Sequence, residues 1–162
     1  MTEREFYIYT VNDELPRFER ALYAIPETNT DYRPDPKSKT AFELGALLVS
    51  EAATLKIILE TGDVDYAAIE KPTTVSPVEL AKAFAIHFKE SAAIAEKMSE
   101  EEWDKESRMH MAGANEWKAP KGKMAFSFVL DLIHHRGQLS TYFRAMGGKV
   151  PSIYGPSADS EE

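Results

Sequence analysis

The stretch DLIHHRGQLSTYFRAMGG, residues 131–148, sets two adjacent histidines inside a run whose apolar residues recur at helical spacing. Extended upstream, Ala125, Phe128, Leu132, His135, Leu139, Tyr142 and Met146 fall on one seam of a helix predicted from Lys121 to Met146 and closed by Gly147-Gly148. His135 therefore takes a core position and looks inward, whereas His134 projects further round, beside Ser127 and Thr141. Asp131 stands one turn before His135, on the adjoining edge, and Gln138 continues that edge. The same helix has a second apolar side made of Phe126, Val129, Leu130 and Ile133. A helix apolar on two sides is central in its bundle or lies against another subunit, so a homodimer is expected. Gly137, in mid-helix, costs about 1 kcal/mol relative to alanine and implies close approach of a backbone or a ligand.

Three further helices precede this one. Leu15, Phe18, Leu22 and Ile25 recur after Asn12-Asp13, and Pro26 stops the run. Residues 27–39, ETNTDYRPDPKSK, read as a surface connection. Thr40 and Glu43 form a capping box for AFELGALLVSEAATLKIILETG, which Gly62 ends. SPVE at 76–79 opens a helix running to about Met98. The segment 100–122 shows no sustained period and reads as connection with one short helical turn. EFYIYTV, residues 5–11, is strand-like in composition but has no partner run. Four helices with no convincing strand pair imply an all-α four-helix bundle, one domain over 1–162 with a C-terminal tail at 149–162.

Composition narrows the function classes. The 162 residues carry 43% hydrophobic and 28% charged side chains, as a folded globule does. A net charge of −8 with dispersed acids disfavours nucleic acid. No run approaches the roughly 20 apolar residues of a membrane span, and no signal peptide is visible, so a cytoplasmic location is expected. Cysteine is absent, so any metal must be held by His, Asp or Glu.

Projection of the second helix puts Glu51 among Leu44, Leu47, Leu48, Leu55 and Ile58. A carboxylate on a core face costs several kcal/mol unless it is paired, hydrogen-bonded or bound to a cation. Asp131 and His135 at i, i+4 can reach one cation together, with Glu51 of the facing helix as third ligand and open positions left over. Two other readings stand beside this one. In the first, Asp131 orients His135 while Glu51 pairs with His135, His87 or Arg136. In the second, the helix rotates and Glu51 is exposed. His87 is expected to be partly buried with a hydrogen bond, His110 to be solvated, and Phe126, Phe128, Tyr142 and Phe143 to be packing. No nucleophilic triad and no phosphate-binding loop can be assembled.

DYRPDPKSKTAFEL, residues 31–44, followed by DLIHHRGQLSTYFRAMGGKVPSIYGPSAD, residues 131–159, closely resembles the DinB-like family of four-helix proteins. The resemblance implies a bundle, often dimeric, holding zinc or nickel through three histidines, one on the second helix and two at i and i+4 on the fourth. It also implies activity as a thiol-dependent S-transferase using bacillithiol or mycothiol, or as a metal-dependent hydrolase. The second-helix histidine falls here at Leu47 and the first of the fourth-helix pair at Asp131; His135 alone matches. Asp131 and Glu51 remain competent oxygen ligands, and such a set is weaker for zinc and more tolerant of manganese or iron.

These readings converge on an interior site of Glu51, Asp131 and His135, with His135 and Asp131 as the catalytic pair. The expected function is transfer or hydrolysis on a small-molecule substrate, with or without a divalent metal (Zn, Ni, Mn or Fe) and a low-molecular-weight thiol. The alternative is a non-catalytic binding protein that keeps the fold and has lost the metal triad.

Overall fold

The computed structural model describes residues 1–73, 76–111 and 115–160. Expectations touching 112–114 and the last two tail positions lie outside the described residues. Four long helices carry the architecture: α1 (Glu3–Tyr23), α2 (Ala41–Thr61), α3 (Pro77–Lys97) and α5 (Lys121–Ser140), with a short α4 (Glu100–Asp104) between the last two. α3 packs against both α1 and α2, and α5 closes the ring against α2 and α1. One contiguous cluster of buried apolar side chains runs through all four. The all-α bundle expected from the sequence is present.

Local chemistry explains the helix boundaries. Thr40 accepts from the Glu43 amide at 3.1 Å while Glu43 accepts from the Thr40 amide at 2.7 Å, and Gly62, at φ 67°, ends α2 in a left-handed conformation that a Cβ would resist. Ser76 caps α3, with Pro77 at its first position. α1 begins earlier than expected, at Glu3 instead of after Asn12-Asp13, because Thr2 and Glu5 form a second capping box. The strand-like EFYIYTV is helical; Tyr7 and Val11 face the core and override the weak β preference of their neighbours. At the other end, α5 stops at Ser140 and not at Met146. The hydroxyls of Ser140 and Thr141 donate to the carbonyls of Gly137 and Gln138, three residues back, and the amide of Thr141 also bonds Gln138. The chain tightens into turns, which continue to Gly147 at φ 88°.

The segment 100–122, expected to be connection with one short helical turn, holds that turn as α4 and also two strands of a small sheet. β1 (Asp63–Asp65) pairs in parallel with β2 (Glu106–His110), which pairs antiparallel with β3 (Glu116–Pro120). β2 buries Ser107 and Met109 and exposes Glu106, Arg108 and His110, the alternation of a half-buried strand. β3 runs without a break into α5. At that junction Lys121 is buried, donates to the Leu59 carbonyl at 3.2 Å and pairs with Glu102 at 2.5 Å. Trp103 lies over Gly122 so closely that a Cβ there would sit 2.0 Å from the indole. The start of α5 is thereby fixed to the end of α2.

A second buried ion pair ties α5 to α1. Arg136 reaches Glu14 at 2.5 Å and the Tyr154 hydroxyl at 2.6 Å, and its guanidinium lies 4.4 Å from the centre of the Phe18 ring. Arg136 is thus committed to Glu14, which removes it as a partner for Glu51. Gly137 is exposed and a Cβ there would meet nothing within 4 Å, so the expected close approach is absent.

Candidate functional site

Two helices supply the site. Glu51 sits in the middle of α2, which is buried around most of its circumference, and is itself 2% exposed. Asp131 and His135 come from α5 at i, i+4, as the spacing requires. His135 Nε2 lies 3.5 Å from Glu51 Oε1 and 3.6 Å from Asp131 Oδ2, and one ligand atom from each of the three residues falls within 4.8 Å of the others. The structure therefore brings together the three residues singled out from sequence. The rotated-helix reading, with Glu51 in solvent, is excluded. His87 is not a partner either. It is half-buried on α3, its nearest carboxylate is Glu90 at 3.8 Å, and its Nδ1 has no hydrogen bond among the described residues, contrary to expectation.

His135 is oriented from behind. Its Nδ1 lies 2.9 Å from Gln138 Oε1, an acceptor only, so Nδ1 carries a proton and Nε2 faces the two carboxylates. Neutral, Nε2 offers a lone pair; protonated, it offers a second N–H to Glu51 and Asp131. Burial pushes the Glu51 carboxyl up to about 9, helped by the charge of Asp131 and by a hydrogen bond to it, with Lys39 pulling weakly the other way. Glu51 Oε2 is buried without a hydrogen-bond partner among the described residues. A carboxylate pair with one orphaned oxygen and no nearby guanidinium or ammonium in contact is stabilised by a proton or by a cation.

A cavity of about 510 Å³ opens beside this cluster. Asp131, His134, Phe128 and Leu130 of α5 form one wall, and Tyr66, Met109 and Trp117, from the segment after β1 and from β2 and β3, form the other. Its lining is mainly apolar with Asp131, His134 and Ser127 at its edge, the usual composition of a small-molecule pocket. His134, expected beside Ser127 and Thr141, shares this wall with Ser127. Tyr66, Met109 and Trp117 were not anticipated from sequence. The alternation of Ser107 and Met109 in ESRMH was the one signal of the strand that carries Met109.

A separate recess of about 250 Å³ is lined by His135 together with Lys37, Ser38, Lys39, Leu44, Gln138 and Tyr142. Leu47, where the resemblance puts a histidine, lines a separate shallow recess with Lys39 and Lys71 and offers no ligand atom. His110, expected to be solvated, is half-exposed on β2 and lies 2.9 Å from Asp63, away from the cluster. No described helix is long and apolar enough to cross a membrane.

Among curated proteins none matches the chain. It is similar to a DinB-like protein (YjoA) of Bacillus subtilis whose crystal structure aligns over 93% of this chain and 99% of that one, with a TM-score of 0.70 at 20% identity. That likeness speaks for the fold. The DinB family model matches residues 17–162, a span that includes α2, α3, α5 and the tail, and the chain therefore belongs to the DinB family.

Proposed function

We propose that the protein is an enzyme acting on a small, largely apolar molecule, and that Glu51, Asp131 and His135 hold a divalent cation beside the cavity. The observation that carries this reading is the buried Glu51 carboxylate beside Asp131, with Oε1 3.5 Å from the His135 imidazole and Oε2 without a hydrogen-bond partner among the described residues. The donor set fits a cation: ligand atoms about 3.4 Å apart are expected around a tetrahedral ion with bonds of about 2.1 Å, and the two imidazole–carboxylate separations here are 3.5 and 3.6 Å. One nitrogen and two oxygens make a set weaker for zinc than three histidines and more tolerant of manganese or iron. When bound, such an ion supplies Lewis acidity, lowering the pKa of a water or thiol nucleophile. Gln138 holds the His135 ring in the tautomer that leaves Nε2 free. Trp117, Tyr66 and Met109 exclude water from the substrate's apolar part. Whether the reaction is hydrolysis or thiol transfer follows from which nucleophile enters.

Isothermal titration of chelator-treated protein with Mn²⁺, Fe²⁺, Zn²⁺ and Ni²⁺ tests the reading. We expect about one equivalent bound, lost in Glu51→Gln and His135→Ala. Uptake below about a tenth of an equivalent for every ion would remove the metal.

A second reading, favoured by the proton that burial holds on Glu51, makes His135 with Asp131 a metal-free general base. It requires activity that survives chelation and is abolished by His135→Ala. The third reading, a non-catalytic binding protein, rests on Leu47 at a ligand position and requires small-molecule binding with no turnover.

A further inference from the structure

The chain carries a net charge of −8, yet the recess beyond His135 is lined by two lysines and by no acidic residue. Neither the Lys37 nor the Lys39 ammonium has a carboxylate within 4.0 Å among the described residues, and both line one concave space, whereas Lys56, Lys105, Lys118 and Lys121 are each paired with a glutamate. Both sit in the turn-rich segment that leads into the Thr40 cap. That segment is held in place: Tyr32 and Thr30 carbonyls accept from the amides of Ala41 and Phe42 at 2.9 Å, and Asp35 accepts from the Lys37 amide at 2.8 Å. Ser38 and Gln138 add neutral donors to the same recess. Unmatched ammonium groups beside hydroxyl and amide donors, in a concave space on an otherwise acidic molecule, make an anion site.

The recess is placed to serve the cluster. Asp131, His135 and Gln138 form one stripe of α5 at i, i+4 and i+7, and Tyr142 follows in the turn beyond the helix. The apolar cavity ends at Asp131 and His134, and the recess begins at His135. At 1.5 Å of rise per residue, Asp131 and Gln138 lie about 10 Å apart along the helix. We propose that the recess formed by Lys37, Ser38, Lys39 and Gln138 is an anion subsite. It takes a carboxylate, sulfonate or phosphate of the same small molecule whose apolar body fills the cavity. The molecule thus spans the Asp131–His135 pair, with its reactive bond between an apolar end and an anionic end about 10 Å away. The inference rests on the small-molecule reading of the site and adds its substrate class. The two lysines offset the repulsion that Asp131 and Glu51, beside His135, and Glu43, near Lys39, would exert on an anionic ligand.

The test uses 6-phenylhexanoate and its neutral amide, 6-phenylhexanamide, titrated calorimetrically into the full chain and into Lys37→Gln/Lys39→Gln. Both lysines are exposed, so the double variant keeps its fold, and its affinity for the amide is the internal control. At low ionic strength we expect the carboxylate to bind the wild type about five- to tenfold more tightly than the amide. That preference should vanish in the double variant and shrink in high salt, while amide affinity stays within about twofold. Equal binding of the two compounds by the wild type overturns the anion subsite and leaves the cavity reading intact. A carboxylate preference that survives in the double variant overturns the assignment to these lysines. Failure of both compounds to bind overturns the subsite and the small-molecule reading together.

Discussion

Glu51 Oε1 on α2 lies 3.5 Å from His135 Nε2 on α5, although 84 positions separate them in sequence, and the remaining Glu51 oxygen has no hydrogen-bond partner among the described residues. An acid held in this way binds its proton far more tightly in the folded chain than in the unfolded one.

The sign of the pH effect follows. The folded-state value of Glu51 is raised from 4.5 to about 9, so between these limits the native state holds a proton that the unfolded state has lost. Stability of the metal-free protein should therefore fall as pH rises through that window. The loss should be on the order of 3 kcal/mol between pH 5.5 and 8.5. Glu51→Gln should flatten this dependence and be the more stable protein at pH 8.5, measured by urea unfolding with chelator present. An unchanged slope in the variant would place the effect elsewhere.

Arg136 and Glu14 form a buried pair whose members were exposed to water in the unfolded chain. Arg136→Met leaves the buried Glu14 carboxylate only the Arg17 guanidinium at 3.3 Å and the Tyr154 hydroxyl at 3.0 Å, and should cost about 2–3 kcal/mol at neutral pH. Glu14→Gln combined with Arg136→Met should recover most of that loss. Thermal melts of the wild type, both single variants and the double variant measure the coupling.

Two glycines of α5 should respond oppositely to alanine. At Gly122 the methyl group would collide with the Trp103 indole at 2.0 Å, so Gly122→Ala should destabilise by at least about 2 kcal/mol. Gly137 stands in open space on the helix surface, and Gly137→Ala should stabilise by about 0.5–1 kcal/mol. Equilibrium unfolding of the two variants side by side checks both signs.

We propose that the homodimer expected from the second apolar side of α5 uses the patch where Phe6 stacks on Phe126 at 5.7 Å, with Tyr9 and Leu130 exposed beside it. Sedimentation equilibrium should show a dimer that Phe6→Ser/Tyr9→Ser/Leu130→Ser converts to monomer. A wild type that is monomeric at high concentration would rule this face out.

The parts of the molecule that could be read from sequence are those in which one residue breaks a strong periodic pattern. Glu51 interrupts a leucine face and His135 interrupts a heptad, and both ended where projection put them. The capping box at Thr40 and the Ser76 cap also set their helix starts, because they are written in four contiguous residues. The same signal at Thr2 and Glu5 was present but was outweighed by the aromatic, β-branched run that follows. The sheet was illegible for a physical reason: its three strands are three to five residues long, and β2 and β3 bury only Ser107, Met109 and Ala119, too few for a period to emerge. The cavity wall formed by Tyr66, Met109 and Trp117 was hidden with it. The choice of Glu14 as the partner of Arg136 depends on tertiary packing between helices 122 positions apart, and no local pattern encodes it.

The join between β3 and α5 separates two roles that could have been mixed. Lys121 and Trp103 clamp the beginning of α5, so the acid and imidazole keep their positions whatever happens in the hairpin's outward half. On that hairpin Met109 is buried in the core cluster and Trp117 packs partly against it, and both line the cavity. Exchanging the half-buried Trp117 would thus reshape the cavity wall while leaving the reactive trio in place, giving this scaffold a position at which selectivity can drift at little cost to folding.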